Sequence, residues 1–141
     1  MPMTKIYMRT GSTPAHKRAI SDAIHRALVD VIGIPDDDKY HVFHELAPEN
    51  LISAPVAFGL ERRDNAIFIQ CYFGKRPDDQ LRALYRALVA NLLERAGLEG
   101  RDIYINIVES PSANWWADGR VLDPGTGFDA RIAADKLPPN D

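Results

Sequence analysis

The residue at position 2 supplies a functional group that few chains have. Pro2 follows the initiator Met1, and initiator methionine is normally removed before a small residue, which would leave proline at the amino terminus. A terminal proline carries a secondary amine, and burial lowers the pKa of an amine because it penalises the charged form. Such an amine can exchange protons near neutral pH, and in its neutral form it can also attack a carbonyl to form a Schiff base. Proline is equally an ordinary residue at this position, so Pro2 gains weight only if the fold buries it.

Charged side chains at two turns are further candidates. The carboxylates at 36–38 are adjacent and raise one another's pKa, which favours a group that holds a proton near neutral pH. The same run is also typical of a solvated turn. Arg76 precedes Pro77 at a predicted helix start, where unpaired N–H groups and the helix dipole favour an anion. The alternative for Arg76 is a surface ion pair with Asp78 or Asp79.

Histidines are the other titratable candidates. His41 and His44 flank Val42 and Phe43, and we expect both histidines on the strand face opposite those apolar side chains. Two histidines at this spacing could bind a metal, but no third ligand lies nearby in sequence. Packed or hydrogen-bonded strand histidines are the commoner case, so no metal site is expected. By similar reasoning His25 is expected on a helix surface.

The elements that would position these residues occur twice in the chain. Each half has a strand, a helix with one apolar face and a second strand; the strands are predicted at 6–8 and 40–46, and again at 67–73 and 103–108. The first helix is predicted to begin at the cap in 11–14 and to end at Gly33 and Pro35, and the second to begin at Pro77 and to end at Gly97, with apolar stripes within 20–32 and 81–92. Gly11 matches Gly74 and Pro14 matches Pro77, both 63 positions apart. The pattern predicts two tandem βαβ units, over residues 5–46 and 66–109.

The fold class is therefore α/β (α+β), with a four-stranded sheet and two helices on one face. The other face would carry Tyr7, Phe68, Tyr72 and Tyr104, and so apolar a surface favours oligomerisation. Within the connection between the units, residues 56–60 are interpreted as a short strand or hairpin arm. Residues 2–109 form the predicted domain. Residues 110–141 lack periodicity and are expected to form an arm that contacts a neighbouring subunit and is flexible at its end.

Composition excludes several classes of function. The 141 residues suggest one domain, and 45% hydrophobic residues can build a core. The net charge is −3, with 17 basic and 20 acidic residues and no basic run, which disfavours nucleic acid as a partner. No apolar run approaches a membrane span, and the one cysteine, Cys71, fits a reducing compartment as a packed, inert thiol. We therefore expect a cytoplasmic protein with no membrane partner.

The chain resembles the tautomerase superfamily, and within it the malonate semialdehyde decarboxylase group. The resemblance covers roughly residues 2–122 and rests on Pro2, the duplicated βαβ unit, the segments 34–40 and 42–45, and residues 107–109 followed by Asn114 and Trp115. It implies the two-unit sheet described above, homotrimers with active sites near subunit boundaries, and no metal or organic cofactor.

The resemblance also implies roles for individual residues. The catalytic proline falls on Pro2 and an assisting aspartate on Asp38, with Asp37 as the neighbour most easily confused with it. Two arginines of the decarboxylase group bind the substrate carboxylate; Arg76 keeps the second and Gly74 replaces the first. Lys75 partly compensates as a point charge, although it lacks the planar fork of arginine.

The resemblance also implies that Trp115 forms part of an apolar wall of the site, whereas Trp116 has no counterpart in the decarboxylase group. The implied activity is acid–base chemistry on small 2-oxo, 3-oxo or enol carboxylic acids. Examples are keto–enol tautomerisation of a phenylpyruvate-like compound and decarboxylation of malonate semialdehyde. The alternatives are a hydratase or dehalogenase of short unsaturated acids, and a trimeric binding module without catalysis. The missing arginine at Gly74 places the decarboxylase activity in doubt.

Overall fold

The computed structural model describes residues 2–117 and 119–123. Its main element is a four-stranded sheet formed by β1 (Met3–Arg9), β2 (His41–Leu46), β5 (Ile67–Phe73) and β6 (Ile103–Glu109). The strand order is β2-β1-β5-β6. β1 is parallel to β2 and β5 is parallel to β6, while the two central strands, β1 and β5, are antiparallel. The predicted pair of βαβ units is confirmed. The two units run in opposite directions in the sheet, because their first strands, β1 and β5, are antiparallel.

Each unit has one helix, which follows its first strand. Helix α1 (Pro14–Ala27) begins where the Thr13 hydroxyl accepts a hydrogen bond from the His16 N–H at 3.1 Å, with proline in the first turn. It continues through a π-helical turn, Leu28–Ile32, and ends at Gly33, whose φ is 77°. Helix α2 (Asp78–Ala96) starts after Pro77 and ends at Gly97 in the left-handed conformation. The predicted starts and stops of both helices are confirmed.

The core lies between the helices and one face of the sheet. Alternate residues of β1 and β5 are buried there, and the helices contribute the apolar stripes that the sequence predicts. The fully buried side chains include Ile6, Ile24, Ile69, Leu84 and Leu88. Cys71 is buried in the same layer, and burial raises the pKa of its thiol to about 11, consistent with an inert side chain.

The opposite sheet face has no helix over it in the described part of the chain. Phe68 and Tyr104 stack there with ring centroids 4.9 Å apart, and Tyr7 stacks on His44 at 4.6 Å. The guanidinium of Arg62 lies over the Phe68 and Tyr104 rings, 5.0 and 4.8 Å from their centroids. We refer to this surface as the open face.

Two small hairpins accompany the main sheet. The predicted arm at 56–60 is a hairpin of β3 (Val56–Ala57) and β4 (Leu60–Glu61). Its turn residue Phe58 has a positive φ of 55° and a side chain that is 88% exposed. The second hairpin, β7 (Trp116–Ala117) with β8 (Arg120–Val121), was not predicted, because its strands are too short to show periodicity. The expected flexible end of the arm lies outside the described residues.

Among residues 2–117 and 119–123, no helix is both long and apolar enough to cross a membrane.

Candidate active site

One end of the main sheet brings most of the candidate residues together. β1 and β2 begin at this end because they are parallel, and β5 and β6 end there because β5 is antiparallel to β1. Pro2 is one residue before the pair Met3–Tyr72 and is itself buried. The loop that follows Phe73 carries Arg76 to this same end.

Backbone pairing between the first strand and the segment that follows Asp38 brings Asp38 toward the amino-terminal end of the sheet. The Thr4 N–H donates to the Tyr40 carbonyl at 2.9 Å, which extends the β1–β2 ladder toward the 36–38 carboxylates. Burial raises the pKa of Asp38, while the positive charge of the amino terminus acts on it in the opposite direction and the Asp37 carboxylate raises it further. Mutual repulsion within the carboxylate run, predicted from the sequence, therefore contributes less than burial. Asp37 is exposed, which distinguishes it from half-buried Asp38.

Arg76 is held against its own loop. Its Nη1 donates to the Gly74 and Lys75 carbonyls at 3.1 and 2.9 Å, and its guanidinium lies 5.8 Å from the centroid of the Phe73 ring. Within the described residues, its Nε and Nη2 make no hydrogen bond and the side chain forms no ion pair. The surface pairing with Asp78 or Asp79 is therefore absent there. Partial burial lowers the pKa of Arg76, which nevertheless remains charged at any physiological pH. Its Nε and Nη2 can donate hydrogen bonds to a carboxylate.

The turn before α2 does not require glycine. Gly74 has no positive φ, and a Cβ added there would lie 3.5 Å from Arg76 Nη1, an ordinary van der Waals distance. Lys75 is exposed beside it. The position where the decarboxylase group has its first arginine therefore has both the backbone conformation and the space for a side chain.

Trp115 lies at the same end of the sheet. The Ser110 N–H donates to the Phe73 carbonyl at 2.8 Å, and the indole N–H of Trp115 donates to the Ser110 carbonyl at 3.4 Å. The Trp115 carbonyl accepts from the N–H of buried Leu122, at 3.0 Å. Trp115 is thus held near the Pro2 end, whereas Trp116 is 70% exposed.

Comparison with known proteins identifies the family. A model described as tautomerase enzyme matches residues 38–116, and a second tautomerase model matches residues 2–61. The chain belongs to the tautomerase family.

Individual relatives agree with this membership. A probable tautomerase of Bacillus subtilis, YusQ, is 25% identical over 123 residues, which cover 86% of this chain and 97% of YusQ. A malonate semialdehyde decarboxylase whose structures address decarboxylase and hydratase activities is 25% identical, with a TM-score of 0.77 over 84% of this chain and 92% of that one. A fused 4-OT symmetric trimer shares the fold at 23% identity and a TM-score of 0.68, over 84% and 94% of the two chains.

The open face of this tautomerase chain also carries a groove, which lies away from the Pro2 end. This groove of about 760 Å³ lies on the open face between Tyr7, Phe68 and Tyr104 and the loop that carries Leu51, Ile52 and Phe58. Its aromatic and aliphatic lining contains no residue of the 36–38 turn or the Arg76 loop. We assign the candidate site to the Pro2 end, because the candidate acid–base and charged groups converge there. An exposed apolar groove such as the one on the open face is instead typical of a surface that binds a partner.

Two interpretations of histidines are wrong. His41 and His44 are three residues apart and therefore lie on opposite faces of β2. His41 faces the helices and is 2.8 Å from the Ser21 hydroxyl, while His44 stacks on Tyr7 across the open face. They cannot bind one metal together. Burial lowers the pKa of His41 to about 4, so its ring is neutral at neutral pH.

His25 is the other correction, since it is buried and its Nε2 lies 2.7 Å from the Asp36 carbonyl. The only sequence signal for it was its place next to Ile24, at the edge of the apolar stripe of α1.

Proposed function

We propose that this chain is a tautomerase that uses the secondary amine of Pro2 for proton transfer on small 2-oxo, 3-oxo or enol carboxylic acids. The observation that carries the proposal is the convergence of Pro2, Asp38 and Arg76 at one end of the sheet. A proton-exchanging amine, a carboxyl group of raised pKa and an unpaired cationic fork are the groups that this chemistry needs.

The reaction is proposed as keto–enol interconversion of a phenylpyruvate-like acid. Neutral Pro2 removes a proton from the carbon next to the 2-oxo group, and the electron pair moves onto the carbonyl oxygen to give the enolate. Transfer of a proton to that oxygen completes the enol, and the reverse sequence returns the keto form. Asp38 is proposed to assist by stabilising the protonated amine, which agrees in sign with the lowering of the Asp38 pKa by the charge of the amino terminus.

Arg76 is proposed to bind the substrate carboxylate. Its Nε and Nη2 face away from the two carbonyls that Nη1 contacts, so they can donate two parallel bonds to a carboxylate. The start of α2 adds little to this site, because its first turn carries Asp78 and Asp79 and the Asp79 carboxylate accepts from the Gln80 N–H at 2.9 Å. Exposed Lys75 adds positive charge without fixed geometry.

Decarboxylation of malonate semialdehyde is proposed as a second reaction of the same site. The solved malonate semialdehyde decarboxylase to which the chain is similar supports this choice. Protonated Pro2 would polarise the 3-oxo group by donating a hydrogen bond to its oxygen. The bond between the carboxylate and the neighbouring carbon would then break, releasing carbon dioxide, and its electron pair would form the enol. Proton transfer to that carbon would give the aldehyde product. We expect this activity to be weak because Gly74 supplies no second arginine.

A homotrimer is the proposed assembly. The open face carries stacked aromatic rings, and the exposed side chains of Ile52, Val56, Phe58 and Leu60 project from the nearby loop and hairpin. Burying both surfaces between copies would remove a large apolar area from water. The Pro2 end would then be completed by a neighbouring subunit.

The decisive experiment compares the chain with two variants at its terminus. Mass analysis should find Met1 absent and Pro2 first, and phenylpyruvate tautomerisation should fall about 10²–10⁴-fold in Pro2→Ala, because a positioned acid–base group is lost. The control is a chain with an extra leucine between Met1 and Pro2, which retains methionine and makes the proline nitrogen an amide. Full activity in either variant would exclude Pro2 as the catalyst.

A further inference from the structure

The turn that carries Asp38 is bound to α1 by a buried histidine. We call residues 35–38 the carboxylate turn; it is closed by the Asp38 N–H, which donates to the Pro35 carbonyl at 3.0 Å. His25 lies in the last turn of α1, and its Nε2 is 2.7 Å from the Asp36 carbonyl oxygen. A helix side chain thereby contacts the backbone two residues before Asp38.

The chemistry of the contact determines its direction. A carbonyl oxygen can only accept, so Nε2 must carry the proton and donate. The other ring nitrogen, Nδ1, is buried and makes no hydrogen bond with the rest of the described chain. The ring therefore acts through Nε2, and its edge also packs against His41, with centroids 6.2 Å apart.

Two other contacts tie the same segment to α1, but both are exposed ion pairs. Arg26 Nη2 lies 3.0 Å from Asp36 Oδ1, and Lys39 Nζ lies 2.6 Å from Asp22 Oδ1. Exposed pairs of this kind typically contribute little, because solvent screens them and long side chains lose entropy. The His25 bond is part-buried and harder to replace, since breaking it removes the partner of the Asp36 carbonyl. His25 is thus the strongest of the three anchors.

We propose that His25 is a positioning residue for the candidate site: its Nε2–H bond to the Asp36 carbonyl keeps Asp38 in its half-buried place beside the amino terminus. This inference rests on the proposed function for its effect on turnover, but its effect on Asp38 is independent of activity. The burial that raises the pKa of Asp38 depends on the turn staying packed against α1.

Several charged and titratable groups surround His25 and the carboxylate turn, and each of them acts on the titration of Asp38 or its neighbours. They come from α1, the carboxylate turn and the start of β2: Asp22, Arg26, Asp36, Asp37, Asp38, Lys39 and His41. Among the contacts described above, that of His25 combines a buried side chain with a bond to the turn backbone.

The test uses two amides of different reach. His25→Gln places an N–H close to the position of Nε2, whereas the shorter His25→Asn places it near Nδ1 and leaves the Asp36 carbonyl unpaired. Titration of the Asp38 carboxyl carbon by NMR should show its pKa falling toward the ordinary aspartate value in His25→Asn and staying raised in His25→Gln. Arg26→Ala, which removes an exposed bond to the same turn, is the control and should resemble the unmodified protein.

Kinetics give a second readout. With phenylpyruvate, His25→Asn should lose about tenfold in kcat with KM within about threefold, because proton transfer needs the placed carboxyl while the carboxylate anchor is intact. His25→Gln should retain kcat within about threefold. If the unmodified protein has no turnover, the proposed function fails, and the NMR comparison still decides the role of His25.

Several results would overturn the inference. A raised pKa of Asp38 in folded His25→Asn, or loss of that raised value in folded His25→Gln, would show that the bond does not hold the turn. If His25→Asn does not fold, His25→Phe replaces it as a donor-free ring of similar volume. Unfolding of both with His25→Gln native would assign the bond to global stability and reject the positioning role.

Discussion

At the residue scale, the proposed anion site depends on one arginine that is already bonded to its own loop. Arg76 has one nitrogen bonded to its own loop and two nitrogens unpaired within the described chain. Its guanidinium also lies 5.8 Å from the centroid of the Phe73 ring. Because less side-chain freedom remains to be lost on binding, a half-held arginine binds a carboxylate better than a free one.

Replacing Gly74 by arginine is predicted to shift the balance between the two reactions. Gly74→Arg should fold normally and raise malonate semialdehyde decarboxylation more than phenylpyruvate tautomerisation, since the smaller acid depends more on charge contacts. Steady-state kcat/KM with both substrates measures this, with Gly74→Gln as an uncharged control. Arg76→Ala should lose both activities, and two silent variants would place the carboxylate site elsewhere.

Asp38 is predicted to lower stability while it supports activity. Its pKa is raised in the folded chain, so the folded state binds more protons than the unfolded state at pH values between the two pKa values. Stability is therefore greater below the ordinary aspartate pKa and falls as pH rises through the raised value. Asp38→Asn should increase Tm at pH 7, show no increase at about pH 3, and lose about 10²-fold in kcat. A lower Tm at pH 7 would contradict the burial argument.

At the scale of elements, the proposed active-site end of the sheet depends on how two helices pack on one face of the sheet. Helix α2 presents Leu84, Leu88 and Leu92 to the core, and its amide side chain Asn91 donates to the Ala23 carbonyl of α1 at 3.2 Å. The start of the same helix lies beside the Arg76 loop. Packing of α2 therefore sets the position of the Arg76 loop and of the anion site proposed there.

Core truncation in α2 should cost stability without changing the chemistry. Leu88 is fully buried, so Leu88→Ala should lower the free energy of unfolding by about 2–5 kcal/mol. Leu93, on the same helix and 43% exposed, provides the matched control, and Leu93→Ala should cost less than about 1 kcal/mol. Denaturant unfolding gives both values. Equal losses would mean that the outer side of α2 is covered.

At the scale of the whole molecule, the open face and the exposed hairpin should be buried together in a trimer. Light scattering should give about three times the chain mass of 15.8 kDa. Phe58→Asn removes the exposed ring but suits the positive φ of that turn, because asparagine tolerates this conformation well. The variant should dissociate at a concentration at least about tenfold higher, as expected for loss of an interface aromatic. Leu93→Asn, on the helix side, should not, and a monomeric unmodified chain would reject the assembly.

The sequence alone determined the features that follow from local pattern. Alternation along strands, the helix stripes, the caps at Thr13 and Pro77 and the stops at Gly33 and Gly97 each depend on residues a few positions apart. The internal match of Gly11 with Gly74 and of Pro14 with Pro77 made the duplication readable. Those signals, with the resemblance carried by Pro2, were enough for the fold and the family.

Only the tertiary structure decided which side chains meet. The antiparallel pairing of β1 with β5, which brings the Arg76 loop to the Pro2 end, joins residues far apart in sequence and has no local signature. The same holds for the bond from His25 to the Asp36 carbonyl and for the placing of His41 and His44 on opposite faces of β2. Burial, which raises the pKa of Asp38, is a property of the packed chain, because the cost of a charge depends on what surrounds it.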